Sequence, residues 1–166
     1  MAKLRKLAII AATLLISTCA LRSASANEPP ADLCSLLPAA EVTKTLGQPY
    51  DSPQKSVAPR PYANTAEGTD CIYPAKASRA SNLQFRAYVD PSSSAATDLF
   101  ARLRIFFGPP VPVTDLADEA YFDSRHGLHV RKGKVRFYLH LANSGNFTPA
   151  NENQLKDLAT RVIGQL

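Results

Sequence analysis

The chain has 166 residues, 19 Lys and Arg against 14 Asp and Glu, and a formal net charge of +5. Four of those cations (Lys3, Arg5, Lys6 and Arg22) lie in residues 1–26, which hold no acid, so 15 bases face 14 acids in the remainder and its net charge is +1. That balance excludes the basic footprint of a nucleic-acid binder, and the length fits one domain.

Residues 1–26 carry a cationic start, an apolar run from Leu7 to Leu21, and a polar tail ending Ala24-Ser25-Ala26. This is the pattern of a secretory signal peptide cleaved after Ala26, which predicts a secreted or periplasmic protein. Ile16-Ser17-Thr18-Cys19 resembles a poor lipobox, so lipid attachment at Cys19 is the alternative, and contact with a membrane is expected only in that case. No second apolar run approaches the length of a membrane span.

Residues 27–32 read as a tail, and a single α+β domain is expected over 33–166. Leu36, Leu37, Ala40 and Leu46, with Pro38 at a first helical position and Gly47 past the end, predict a helix over 37–46. A Pro-rich loop over 48–69 follows, then a short strand over 69–74. Leu83, Phe85, Ala87 and Val89 alternate with Gln84, Arg86 and Tyr88 and predict a half-buried strand over 82–89. Asp90 to Ser94 offers an N-cap for an amphipathic helix over 95–107, ended by Gly108-Pro109-Pro110. A strand over 119–123 precedes a hairpin over 128–141 around Lys132-Gly133, with Val130 opposite Val135 and Leu128 opposite Phe137. A helix over 152–165, capped by Asn151, closes the chain. Together these predict an antiparallel sheet of four to six strands packed by three helices.

Cleavage after Ala26 leaves two cysteines, Cys34 and Cys71. In an oxidising compartment they allow one disulfide, the alternative being two buried thiols. Catalytic signatures are missing: there is no G-x-S-x-G, no H-E-x-x-H and no phosphate-cradling glycine loop. Asp118-Glu119 reads as a strand start with solvated carboxylates. His126 and His129 point to opposite faces of a strand, and the expected register separates His129 from His140 by about 13 Å, too far to share a metal ion. No cofactor and no metal is expected. Asn146-Phe147-Thr148 is a glycosylation sequon that matters only in a eukaryotic source.

One surface feature stands out. The expected register places Arg125, His129, Arg131, Lys134, Arg136, Tyr138 and His140 on one outward face, with His129 beside Arg136. Such a basic face would attract an envelope protein, a phosphate-bearing lipid or an anionic polymer. The plainer alternative is a solvated face, or one whose cations pair with acids on a neighbouring strand or helix.

Asp32-x-Cys34-x-Leu36-Leu37, Glu41-Val42, Leu46-Gly47, Cys71-x-Tyr73, Asp118 to Phe122 and Leu128-x-Val130-Arg131-Lys132-Gly133 resemble a family of bacterial exported proteins and lipoproteins. That family is best known from actinobacteria and described only as a domain of unknown function. The resemblance implies a bacterial source, a Cys34–Cys71 pair and a PsbP-like α/β sandwich, and supplies no catalytic residue. A non-catalytic binding module of the envelope or extracellular space is therefore expected. A structural protein without a specific ligand comes next, then an enzyme. A pocket with convergent, shifted titratable groups would favour the enzyme, and a flat basic surface would favour binding.

Overall fold

The computed structural model describes residues 28–63, 65–77, 81–142 and 147–166. The expected signal peptide, with Cys19, and Asn146 of the sequon lie outside them. A 3-10 turn, Leu33–Leu36, leads into α1 (Ala39–Leu46). Then come β1 (Gln54–Ala58), β2 (Gly68–Tyr73), β3 (Asn82–Val89), α2 (Ser93–Phe106), β4 (Val111–Pro112), β5 (Glu119–Phe122), β6 (Leu128–Lys132), β7 (Val135–Ala142) and α3 (Pro149–Ile163). The strands form one antiparallel seven-stranded sheet in the order β1-β2-β3-β7-β6-β5-β4. The chain is thus α+β.

Seven strands exceed the four to six expected, and both additions have a physical reason for escaping notice. β1 lies inside the expected Pro-rich loop, and four of its five residues are exposed, so it carries no alternating pattern. β4 is only two residues long. Helix boundaries also moved. Leu36 and Leu37 belong to the 3-10 turn and its exit, and Pro38 is the N-cap of α1. Ser92 caps α2 by accepting from the Ala95 N–H at 3.1 Å. α3 starts at Pro149, three residues before the expected start, because Thr148 is its cap. Asn151 instead supplies the reciprocal half of a capping box, its side chain accepting from the Thr148 N–H at 3.0 Å.

The two sheet faces differ in chemistry. Cys71, Tyr73, Leu83, Phe85, Phe137, Leu139, Leu128 and Val130 turn to one side and pack on the 3-10 turn, α1 and α3, forming the main core. Leu155, Leu158, Ala159 and Val162 of α3 are fully buried there. The Cys34–Cys71 disulfide ties the 3-10 turn to β2, with Cα atoms 5.8 Å apart. Beside it the Tyr73 hydroxyl donates to the Leu37 carbonyl. The opposite face is polar and is only partly covered, by Ala96, Leu99, Phe100 and Leu103 of α2.

The hairpin register departs from expectation by two residues. The turn is Gly133-Lys134, so Val130 faces Phe137 and Leu128 faces Leu139. Gly133 sits at φ +55, a left-handed conformation open to glycine, and its N–H donates to Asp118 Oδ2 at 2.7 Å. Moving the turn by one position slides the pairing by two, so every side chain keeps its face.

Candidate functional site

The polar face is built as transverse rows. One row runs across five strands: Asp70 opposite Arg86, Arg86 opposite Tyr138, Tyr138 opposite His129, and His129 opposite Tyr121. The row beside it runs Gly68, Tyr88, Arg136, Arg131, Glu119. Alternation along each strand puts all of these on one side, opposite the main core.

The basic face expected from the sequence is present as a set of strand positions but not as an exposed surface. Arg136 is 3% exposed and holds Asp90 through Nε and through Nη2, the latter at 3.0 Å. Arg131 is 9% exposed and reaches Glu119 at 2.8 Å and Asp118 at 3.1 Å. Asp118 and Glu119 are therefore ion-pair partners rather than merely solvated carboxylates. His129, also buried, sets Nε2 2.9 Å from Asp123 Oδ2. It faces Tyr138 and not Arg136, because of the two-residue register difference. Lys134 lies at the turn, 3.6 Å from Glu28. Exposure is retained by Arg125 and, in part, by Lys134, Tyr138 and His140. A buried guanidinium needs a partner, but local reading does not say which, since Asp90 is 46 residues from Arg136.

Aromatic rings interleave with these charges. His129 stacks on Tyr121 with centroids 4.7 Å apart, and Tyr138 lies 4.7 Å from its ring. Phe107, just past α2, lies 5.3 Å from His129, and Phe100 packs edge-on to Tyr121 at 5.1 Å. Gly127 is required beneath Tyr138, since a Cβ there would come within 2.2 Å of the ring. Arg136 lies over the Tyr88 ring at 4.8 Å.

Where α2 leaves the sheet uncovered, a cleft of about 350 Å³ opens. Its walls are Phe100, Leu103 and Phe107 on the α2 side and Pro59, Arg60 and Pro61 on the other. The Tyr88 hydroxyl fixes the second wall by donating to the Pro59 carbonyl at 2.9 Å. The floor is Gln84, Arg86, Tyr138 and His140. In all, four arginines (Arg60, Arg86, Arg125 and Arg136) and two histidines line the cleft, and no carboxylate does.

The protonation states follow from burial and neighbours. Desolvation pushes the Tyr138 hydroxyl well above the usual phenol range, so it stays a donor. Burial likewise lowers His140, which favours its neutral form. For Asp123, burial opposes ionisation, but hydrogen bonds from His129 and the Gly127 N–H outweigh it and hold the carboxyl below its ordinary value. Burial also opposes the Arg86 charge, and Asp70, 2.8 Å away, more than restores it. Arg86 Nε has no hydrogen-bond partner among the described residues.

His140 lies two residues along β7 from the partner of His129, nearer than the sequence suggested. His126 sits in a turn and stacks on Phe147, with ring centroids 4.5 Å apart. Among the described residues, no group of three or more His, Cys, Asp or Glu side chains is placed to hold a metal ion.

The fold and site together define an α+β domain with one antiparallel sheet, an aliphatic core on one face and a cationic, aromatic cleft on the other. Comparison with protein families, with curated proteins and with solved structures finds no match to this chain. The family resemblance and the PsbP-like comparison rest on the sequence motifs alone.

Proposed function

We propose that the protein is an exported binding module whose cleft takes a small anionic amphiphile. The observation that carries this reading is the cleft lining: guanidinium and phenol donors, aromatic and aliphatic walls, and no acid among its residues. A volume near 350 Å³ is in the range of small-molecule sites. Arg136 is already neutralised by Asp90, and Arg60 pairs with Glu67 at the surface. Arg86 is likewise held by Asp70 at 2.8 Å, so Arg125 is the group that receives the anion. The Arg125 guanidinium is exposed and has no ion-pair partner among the described residues, whereas the unpartnered Arg86 Nε is buried. The ligand's apolar body would lie along Phe100, Leu103 and Phe107.

Export fits a disulfide-bonded domain, since such bonds persist in oxidising compartments. Among the described residues, no helix is long and apolar enough to cross a membrane. Cleavage after Ala26 or acylation at Cys19 is decided by the intact mass of the exported protein.

The cleft also meets the condition that would favour an enzyme, because the titratable groups Tyr138 and His140 converge there with shifted affinities for protons. The Asp123–His129 pair adds an oriented imidazole. Binding is preferred because the lining contains no Ser, Thr, Cys or carboxylate to act as nucleophile or acid beside it. Calorimetry with dodecanoate, dodecyl phosphate and dodecanol tests the reading on the chain from Asn27. The two anions should bind at least about tenfold more tightly than the alcohol. Arg125→Gln, which leaves the Asp70–Arg86 pair intact, should abolish that preference. Equal affinity for all three, or no binding, overturns the reading, and chemical conversion of a bound ligand would replace it with the enzymatic one.

A further inference from the structure

The end of α2 carries an apolar tip that the core does not use. Ile105, Phe106 and Val111 are 84%, 75% and 62% exposed, all within one seven-residue segment. Single exposed hydrophobic residues are ordinary on protein surfaces, but a close group of large ones marks a contact site. Arg102 is three residues before Ile105 and four before Phe106, so it shares their face of the helix. Arg104 is exposed beside them and Arg125 is exposed close by, while Asp98, one turn before Arg102, is the one acid of α2. The tip is also fixed in place. The Phe107 carbonyl accepts from the Ser124 hydroxyl at 2.9 Å, and the next residue, Arg125, is exposed at the cleft.

We infer that this tip docks on an anionic lipid bilayer, with Ile105, Phe106 and Val111 in the interface and Arg102 and Arg104 on the headgroups. Charge decides among the occupants. A second copy using the same patch would set Arg102, Arg104 and Arg125 against their own copies across a two-fold axis, with Asp98 the one acid of α2 to offset them. An anionic bilayer satisfies both the apolar and the cationic parts at once. The docking itself stands apart from what the cleft binds. That it would turn the cleft mouth toward lipid, so that the cargo enters from the bilayer, rests on the reading above.

The test is flotation of the chain from Asn27, whose described core lies wholly between Leu33 and Val162. Vesicles of phosphatidylcholine alone are compared with vesicles that also contain phosphatidylglycerol. The parent should bind the anionic vesicles, and added salt should weaken binding. Ile105→Ser with Phe106→Ser should cut partition about tenfold or more. Arg102→Gln with Arg104→Gln should erase the preference for anionic lipid. All four positions are exposed, so melting temperatures should stay at the parent value. No binding by the parent, equal binding by the serine variant, or a parent dimer that the serine variant dissolves would overturn the inference. Dodecanoate calorimetry without vesicles separates the two claims. Vesicle binding without dodecanoate binding removes the cargo and leaves the docking, while the reverse result removes the docking alone.

Discussion

Arg131 and Arg136 stand directly opposite each other across the β6–β7 hairpin, and both are buried. Like charges at facing positions repel, so this arrangement holds only because each guanidinium turns to its own acid, Arg131 to Asp118 and Glu119, Arg136 to Asp90. The hairpin therefore behaves as two ion-pair clusters back to back. A triple replacement of Arg131, Lys134 and Arg136 would test folding before it tested binding.

The first prediction follows from that dependence. Asp90→Leu or Arg136→Met alone should cost about 3–5 kcal/mol, because one buried charge loses its partner. The double variant Asp90→Leu with Arg136→Met should recover most of that loss. Urea denaturation of the four proteins closes the cycle, and a double variant that costs the sum of the two single variants would refute the coupling.

Reduction of the Cys34–Cys71 bond, or its replacement by serines, should remove about 3–4 kcal/mol in the chain-entropy account of a bridge spanning 37 positions. The loss should appear as a lower urea midpoint. Alkylation without reductant should find no free thiol at either position.

Acidification should weaken the fold in two stages. His140 binds its proton less readily when folded than its ordinary value of 6.5, so the unfolded chain gains protons first as pH falls. Stability present above about pH 6.5 is then lost as pH falls below that value. His140→Gln should flatten that slope. The groups around His140 are Gln84, Tyr138, Arg125, His126 and Asp123. Asp123, depressed below 3.8, adds a second loss as pH falls below about 4. Melting temperature against pH for parent and variant is the measurement.

Tyr121 is 1% exposed, and its hydroxyl finds no hydrogen-bond partner among the described residues. A buried unsatisfied hydroxyl costs roughly 1–3 kcal/mol. Tyr121→Phe keeps both ring contacts, with Phe100 and His129, and should raise stability by about 1 kcal/mol. A fall in stability would mean that the hydroxyl is bonded in solution.

Much of this architecture could be read from the chain because period and parity survive errors of boundary. Leu83, Phe85 and Ala87 announce their face whatever their partner, and a two-residue slip at Gly133 left the faces of β6 and β7 intact. Leu155, Leu158 and Val162 likewise mark the buried side of α3. Partners distant in sequence could not be read. Nothing near Arg86 in the chain points to Asp70, and nothing near Tyr88 points to Pro59, whose contact builds one wall of the cleft. The basic residues were thus identifiable by type and by face, while their neutralisation and the cleft they border come from packing.

The paired charges on the polar face also constrain how this sequence can change over generations. An aliphatic position such as Leu139 can drift through single, volume-conserving steps. Asp90 with Arg136, Asp70 with Arg86, and Asp123 with His129 cannot, because the intermediate leaves a buried polar or charged group stranded. Descendants of this chain should therefore change at those positions two at a time or not at all. Their alignment would show correlated columns on one side of the sheet and independent ones on the other.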